Sequence, residues 1–172
     1  MTLLEKFGYM YVRYLVNPRF TTPPVNFKKA VSTATSVLVL PPANAAEDDA
    51  DFFLQQICSV FTRHRVKQFI PGPEIILPGI KKQYTTNIFT ILKSPAIKKY
   101  QEAGHVNVLI DLECGYNLPA LYLAKYLRPD ICISFEKPGS KALFNLAFKP
   151  SPDARCETKV KELCEFIKSM GV

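Results

Sequence analysis

A chain of 172 residues is long enough for one domain with a buried core and short for two. Hydrophobic residues make up 48% and charged residues 22%, a globular balance that argues against disorder. The net charge of +7 either serves solubility alone or favours anionic partners such as phosphorylated metabolites, nucleotides or acidic lipid surfaces.

In chain order, the apolar positions Leu3, Leu4, Phe7, Met10, Tyr11, Tyr14 and Leu15 follow the spacing of one helix face and predict an amphipathic helix over residues 1–19. Such a helix more commonly covers a sheet or a partner protein, a second copy of the chain included. With Lys6, Arg13 and Arg19 off the stripe, the other reading is peripheral contact with an anionic membrane surface. Asn17-Pro18 and Thr21-Thr22-Pro23-Pro24 break it, and residues 20–35 read as an extended linker to a domain over residues 36–172. Ser36 to Leu40 is a short buried strand. The helix after it opens at Glu47-Asp48-Asp49, where acidic residues suit the positive end of the dipole, and runs to about Arg63. Val66 to Ile70 is a second strand. Between Glu74 and Tyr100 two further strands and a helix starting at Ser94-Pro95 are the expectation.

The stretch from His105 to Phe135 is the most informative. It holds a strand, a polar turn, a helix from about Leu118 to Leu127 and a second strand over Ile131 to Phe135, the length of one βαβ unit. Val106, Val108, Leu109, Ile110 and Leu112 are almost continuously apolar, as suits a strand covered on both faces. A last strand over Ala142 to Phe148 and an amphipathic helix over Arg155 to Met170 complete the order. Strands alternating with helices predict a three-layer α/β sandwich with a mostly parallel sheet.

Open sheets of that kind place ligands at the carboxyl ends of their strands. Asp111, Glu113 and Asn117 stand there and are candidate ligand-binding residues; turn stabilisation by side-chain-to-backbone bonding is an equal account of them. Lys137, Ser140 and Lys141 follow the next strand in a glycine-bearing loop suited to a phosphate. Asp48 is placed where a general base belongs, although helix capping explains it as well. Neither GxGxxG nor GxxxxGK(S/T) occurs, which argues against a nicotinamide dehydrogenase or a P-loop enzyme. No cofactor and no metal site is expected. Cys58, Cys114, Cys132, Cys156 and Cys164 fit no zinc spacing and read as reduced thiols of a cytoplasmic protein. No apolar run of about 18 residues predicts a membrane span. The basic residues come in short pairs, not an arm, so no nucleic-acid partner is expected. His64 and His105 read as ordinary surface histidines.

The run Val108-Leu109-Ile110-Asp111-Leu112, the helix with Leu121-Tyr122-Leu123-Ala124 and the strand ending Ile133-Ser134-Phe135 together resemble the heptosyltransferase-like glycosyltransferases (GT-B, glycosyltransferase family 9) in their amino-terminal, Rossmann-like half. The resemblance spans Val108 to Phe135. Cys132-Ile133-Ser134-Phe135 stands where the family usually has RIGF, and Ala46-Glu47-Asp48 lies where it typically has a glycine-aspartate pair with the catalytic base. The family binds its nucleotide-sugar largely with a second domain. The resemblance therefore implies a Rossmann-like acceptor-side module, binding or accessory in role, that takes a phosphorylated sugar or nucleotide-sugar. It also implies an alternative: a glycosyltransferase subunit completed by a partner chain, with Asp48 as base. Either would sit in the cytoplasm or at the inner membrane surface.

Overall fold

The computed structural model describes residues 7, 10, 25–42, 47–61, 66–68, 104–115, 117–137 and 144–170. The elements are α1 (Phe27–Thr33), β1 (Val37–Leu40), α2 (Glu47–Cys58), β2 (Val66–Gln68), β3 (Val108–Asp111), α3 (Leu118–Leu127), β4 (Ile131–Phe135), β5 (Leu146–Phe148) and α4 (Cys156–Ser169). Five strands form one sheet in the order β2-β1-β3-β4-β5, and every neighbouring pair is parallel. The mostly parallel α/β sandwich expected from the alternation of elements is the observed architecture.

The period of two along each strand assigns the layers. Leu38, Leu40, Leu109 and Cys132 point to one face and are packed by Ala120, Leu121, Leu123 and Ala124 of α3. Their neighbours Val37, Val39, Val108, Ile110, Ile131 and Ile133 point to the other face. There they meet Val31 of α1, Phe53 and Ile57 of α2, and Val160, Leu163 and Ile167 of α4. β1, β3 and β4 are buried along their whole length, which is why their sequences are apolar without alternation except at Asp111 and Ser134.

This arrangement fixes where a ligand edge belongs. From β1 the chain passes through α2 on one face to β2; from β3 it passes through α3 on the opposite face to β4. The direction of winding thus reverses between β1 and β3, and in such sheets the crevice lies outside the carboxyl ends of the two strands at the reversal. Leu40 and Asp111 are the paired residues there.

The opposite edge is closed by Asn107. Its Oδ1 accepts from the backbone N–H groups of Thr35 (3.0 Å) and Ser36 (3.1 Å), and its amide donates to Asp130 Oδ2 at 2.8 Å. His105 lies 2.9 Å from Asp130 Oδ1, about half exposed, in keeping with a surface histidine.

Several boundaries differ from expectation for local reasons. Residues 27–33, expected within the linker, are helical: Asn26 caps α1 by accepting from Lys29 N–H at 3.1 Å, and the buried Val31 and Ala34 tie it to the core. The helix expected to reach Arg63 stops at Cys58. The Ser59 N–H bonds both Gln55 and Gln56 carbonyls, and its hydroxyl donates to Gln56 O at 2.6 Å, which tightens the last turn and carries Phe61 into the core. β5 starts at Leu146, because Asn145 Oδ1 accepts from Cys132 N–H before the ladder begins. α3 and β4 have the expected bounds. Asn117 caps α3, Pro119 lies in its first turn, and Arg128 ends it in the left-handed region with φ 47°.

Of the amino-terminal helix, Phe7 and Met10 are described; both are helical and largely exposed. The rest of that helix, His64, and the elements expected between residues 69 and 103 lie outside the described residues.

Candidate functional site

Asp111 is the last residue of β3, and it sits on the α3 face beside Ser134, its partner in β4. Both are fully buried polar residues at the carboxyl edge. Beyond Asp111 the ladder gives one more bond, Leu112 N–H to Leu40 O at 3.0 Å, and the chain then turns. Asp111 itself makes the turn: Oδ1 accepts from Glu113 N–H at 3.1 Å and from the Asn117 amide at 2.7 Å. Its other oxygen, Oδ2, receives the Lys137 ammonium at 2.5 Å, and the same ammonium donates to Glu113 O at 2.9 Å. Asn117 in turn accepts from Ala120 N–H at 3.3 Å through its own Oδ1.

The cluster is therefore a buried clamp. Three consecutive pieces of chain, the loop after β3, the first turn of α3 and the segment after β4, are tied to one carboxylate. The Lys137 side chain is 5% exposed and that of Asp111 is fully enclosed. A charge so far from water persists only when paired and hydrogen-bonded, and here each partner supplies the other's compensation. Burial pushes the Asp111 carboxyl above its ordinary range, with Lys137, Asn117 and the Glu113 N–H pulling the other way.

Comparison with protein-family models, with curated proteins and with solved structures finds no match to this chain. The functional reading therefore rests on the geometry of the site.

Three of the candidate residues, Asp111, Asn117 and Lys137, are brought together, and Glu113 joins them through its backbone. Its carboxylate goes elsewhere: Oε1 accepts from Gly115 N–H at 3.1 Å. The two carboxylates do not converge, because the strand ends at Asp111 and Glu113 is already in the turn. Asp48 stands in the first turn of α2, which follows β1 at the same edge; its side chain, together with Ser140 and Lys141, lies outside the described residues. Among the described residues no group of three histidine, cysteine or acidic side chains is placed to hold a metal ion. No described helix is long and apolar enough to cross a membrane.

The pairing of Asp111 with Lys137 is what sequence reasoning missed. The signal was present in the register: in a parallel pair Asp111 lies opposite Ser134, so a long side chain three residues further on can fold back over the strand end. A second missed feature is Cys114 beside Cys156, sulfur to sulfur 4.0 Å, at the same edge.

Proposed function

We propose that this chain is a binding module for an anionic sugar derivative, a phosphorylated sugar or nucleotide-sugar, similar in role to the acceptor-side half of a heptosyltransferase-like glycosyltransferase and without independent catalysis. The observation that carries the reading is the buried Asp111–Lys137 clamp at the β1/β3 reversal. It ties Glu113 and Asn117 to one carboxylate at the edge where sheets of this winding bind ligands. A preorganised loop binds without first being ordered, which raises affinity. The sequence that follows β4 includes Ser140 and Lys141, and the net charge of +7 favours an anionic ligand.

The same geometry argues against proton transfer by Asp111. A general base needs a free oxygen within reach of the substrate, and both Asp111 oxygens already accept bonds inside the protein. One observation favours a second reading: Asp48 lies in the first turn of α2 at the ligand edge, where a base would serve a partner chain that brings the donor sugar.

Thermal denaturation with a panel of ADP-, GDP- and UDP-sugars and of hexose and heptose phosphates tests the proposal. A true ligand at about 100 times its Kd stabilises by about 2.7 kcal/mol, which for a chain of this length raises Tm by roughly 5–10 °C. At least one compound is expected to do so. No shift with any of them contradicts the binding reading, and turnover of a nucleotide-sugar by this chain alone contradicts the accessory one.

A further inference from the structure

Cys114 lies in the loop after β3 and is exposed; Cys156 is the first residue of α4 and is partly exposed. The topology explains how residues 42 apart in sequence meet: β3 ends, and α4 begins, at the same edge of the sheet. Their sulfurs are 4.0 Å apart, against about 2.05 Å in a disulfide, a gap that side-chain rotation and a small loop adjustment can close. None of the five cysteines is in a disulfide.

We propose that Cys114 and Cys156 form an oxidisable dithiol, a modification site whose co-substrate is hydrogen peroxide and whose product is a Cys114–Cys156 disulfide. This stands independently of what the strand edge binds. In the first step the Cys114 thiolate attacks one peroxide oxygen; the S–O bond forms, the O–O bond breaks, and the departing hydroxide takes a proton to give water. In the second, the Cys156 sulfur attacks the sulfenic sulfur of Cys114. The S–S bond forms, the S–O bond breaks, and hydroxide leaves with the Cys156 proton as a second water. The two thiols lose two electrons, and the peroxide is reduced to two waters.

The surroundings favour this order of attack. With Cys114 ionised, Cys156 is the donor across the contact, and this lowers the Cys114 thiol to about 7; burial opposes this, Lys159 and Lys137 assist, and Glu113 opposes. Cys156 is held protonated by the same contact, with burial and the carboxylates of Glu113 and Glu157 acting in the same direction. Cys132 and Cys164 are poorer competitors: burial pushes Cys132 up to about 12 and Cys164 up to about 11.

The test is hydrogen peroxide treatment of the reduced full chain, with intact mass and peptide mapping, beside Cys114→Ser and Cys156→Ser. The expected result is loss of two hydrogens, a single cross-link joining the Cys114 and Cys156 peptides, reversal by dithiothreitol and absence of the cross-link in both variants. Iodoacetamide labelling of Cys114 in the reduced protein is expected to rise through a midpoint near pH 7 and to move alkaline in Cys156→Ala, which leaves no donor beside the Cys114 sulfur. A cross-link that uses Cys58, or Cys114 oxidised to sulfinic acid with no cross-link, overturns the proposal.

Discussion

Replacing Lys137 by Met is expected to destabilise the protein by about 3–5 kcal/mol, read as a fall in the urea midpoint at unchanged slope. The substitution keeps the apolar body of the side chain and removes the ammonium, and with it both the charge that Asp111 faces and the donor to Glu113 O. Asp111 is then left fully buried with the Asn117 amide and the Glu113 N–H as its partners. Asp111→Asn is also expected to destabilise, because the buried ammonium keeps the Glu113 carbonyl but loses its carboxylate. The double variant removes both charges, while the oxygen of the introduced amide can still accept from the Glu113 N–H, so it is expected to recover at least half of the loss; a cycle of the four proteins gives the coupling directly. A cost of under about 1 kcal/mol for Lys137→Met is the behaviour of a solvent-screened pair and contradicts the clamp.

The same variant has a signed pH dependence. The folded Asp111 carboxyl already lies above its ordinary value of 3.8, raised by burial and restrained by Lys137. A carboxyl whose folded pKa exceeds its unfolded one contributes most to stability below the unfolded value, and the contribution falls as pH rises through the folded one. Removing Lys137 raises the folded value further. The penalty of Lys137→Met is therefore expected to shrink progressively on acidification, as Asp111 takes up a proton.

The second large effect is expected at Phe135. It ends β4, is 1% exposed, and lies in the core layer shared by α1, α2 and α4, in register with Phe148 of β5. Truncation to Ala removes a whole ring from a layer whose neighbours belong to separate elements and cannot all close inward, and is expected to cost about 3–5 kcal/mol. Phe135→Leu keeps most of the volume and is expected to cost less than half of that. Because Lys137 follows two residues later, a Phe135→Ala chain that still folds is also expected to loosen the clamp, seen as faster amide exchange at Glu113. Equal stability of Phe135→Ala and the parent contradicts the assignment of Phe135 to the core.

The architecture was legible because its strongest signals are local. Val108 to Ile110 and Ile131 to Ile133 are apolar without alternation, and Asn117, Pro119 and Pro129 punctuate the helix between them, so α3 and β4 have the expected bounds. Where boundaries moved, a single side chain competed with the backbone: Asn26 starting a helix inside the expected linker, Ser59 ending α2, Asn145 delaying β5. The candidate site was legible as a set of residues but not as an arrangement. Asp111, Glu113, Asn117 and Lys137 stand at one edge as expected, yet which of them meet depends on register and on where the strand stops. Composition carries neither. The Cys114–Cys156 contact is of the same kind, since a loop and a helix start separated by two strands in the chain meet only once the sheet order is known.

The carboxyl edge at β1 and β3 is proposed to be a ligand edge organised by the Asp111–Lys137 clamp. Amide chemical shifts during titration with the nucleotide-sugar or sugar phosphate that raises Tm most test it directly. The largest perturbations are expected over residues 112–117 and in the segments that follow β1 and β4. Perturbations centred on Thr35, Asn107 and Asp130 at the opposite edge, or none at all, would contradict it.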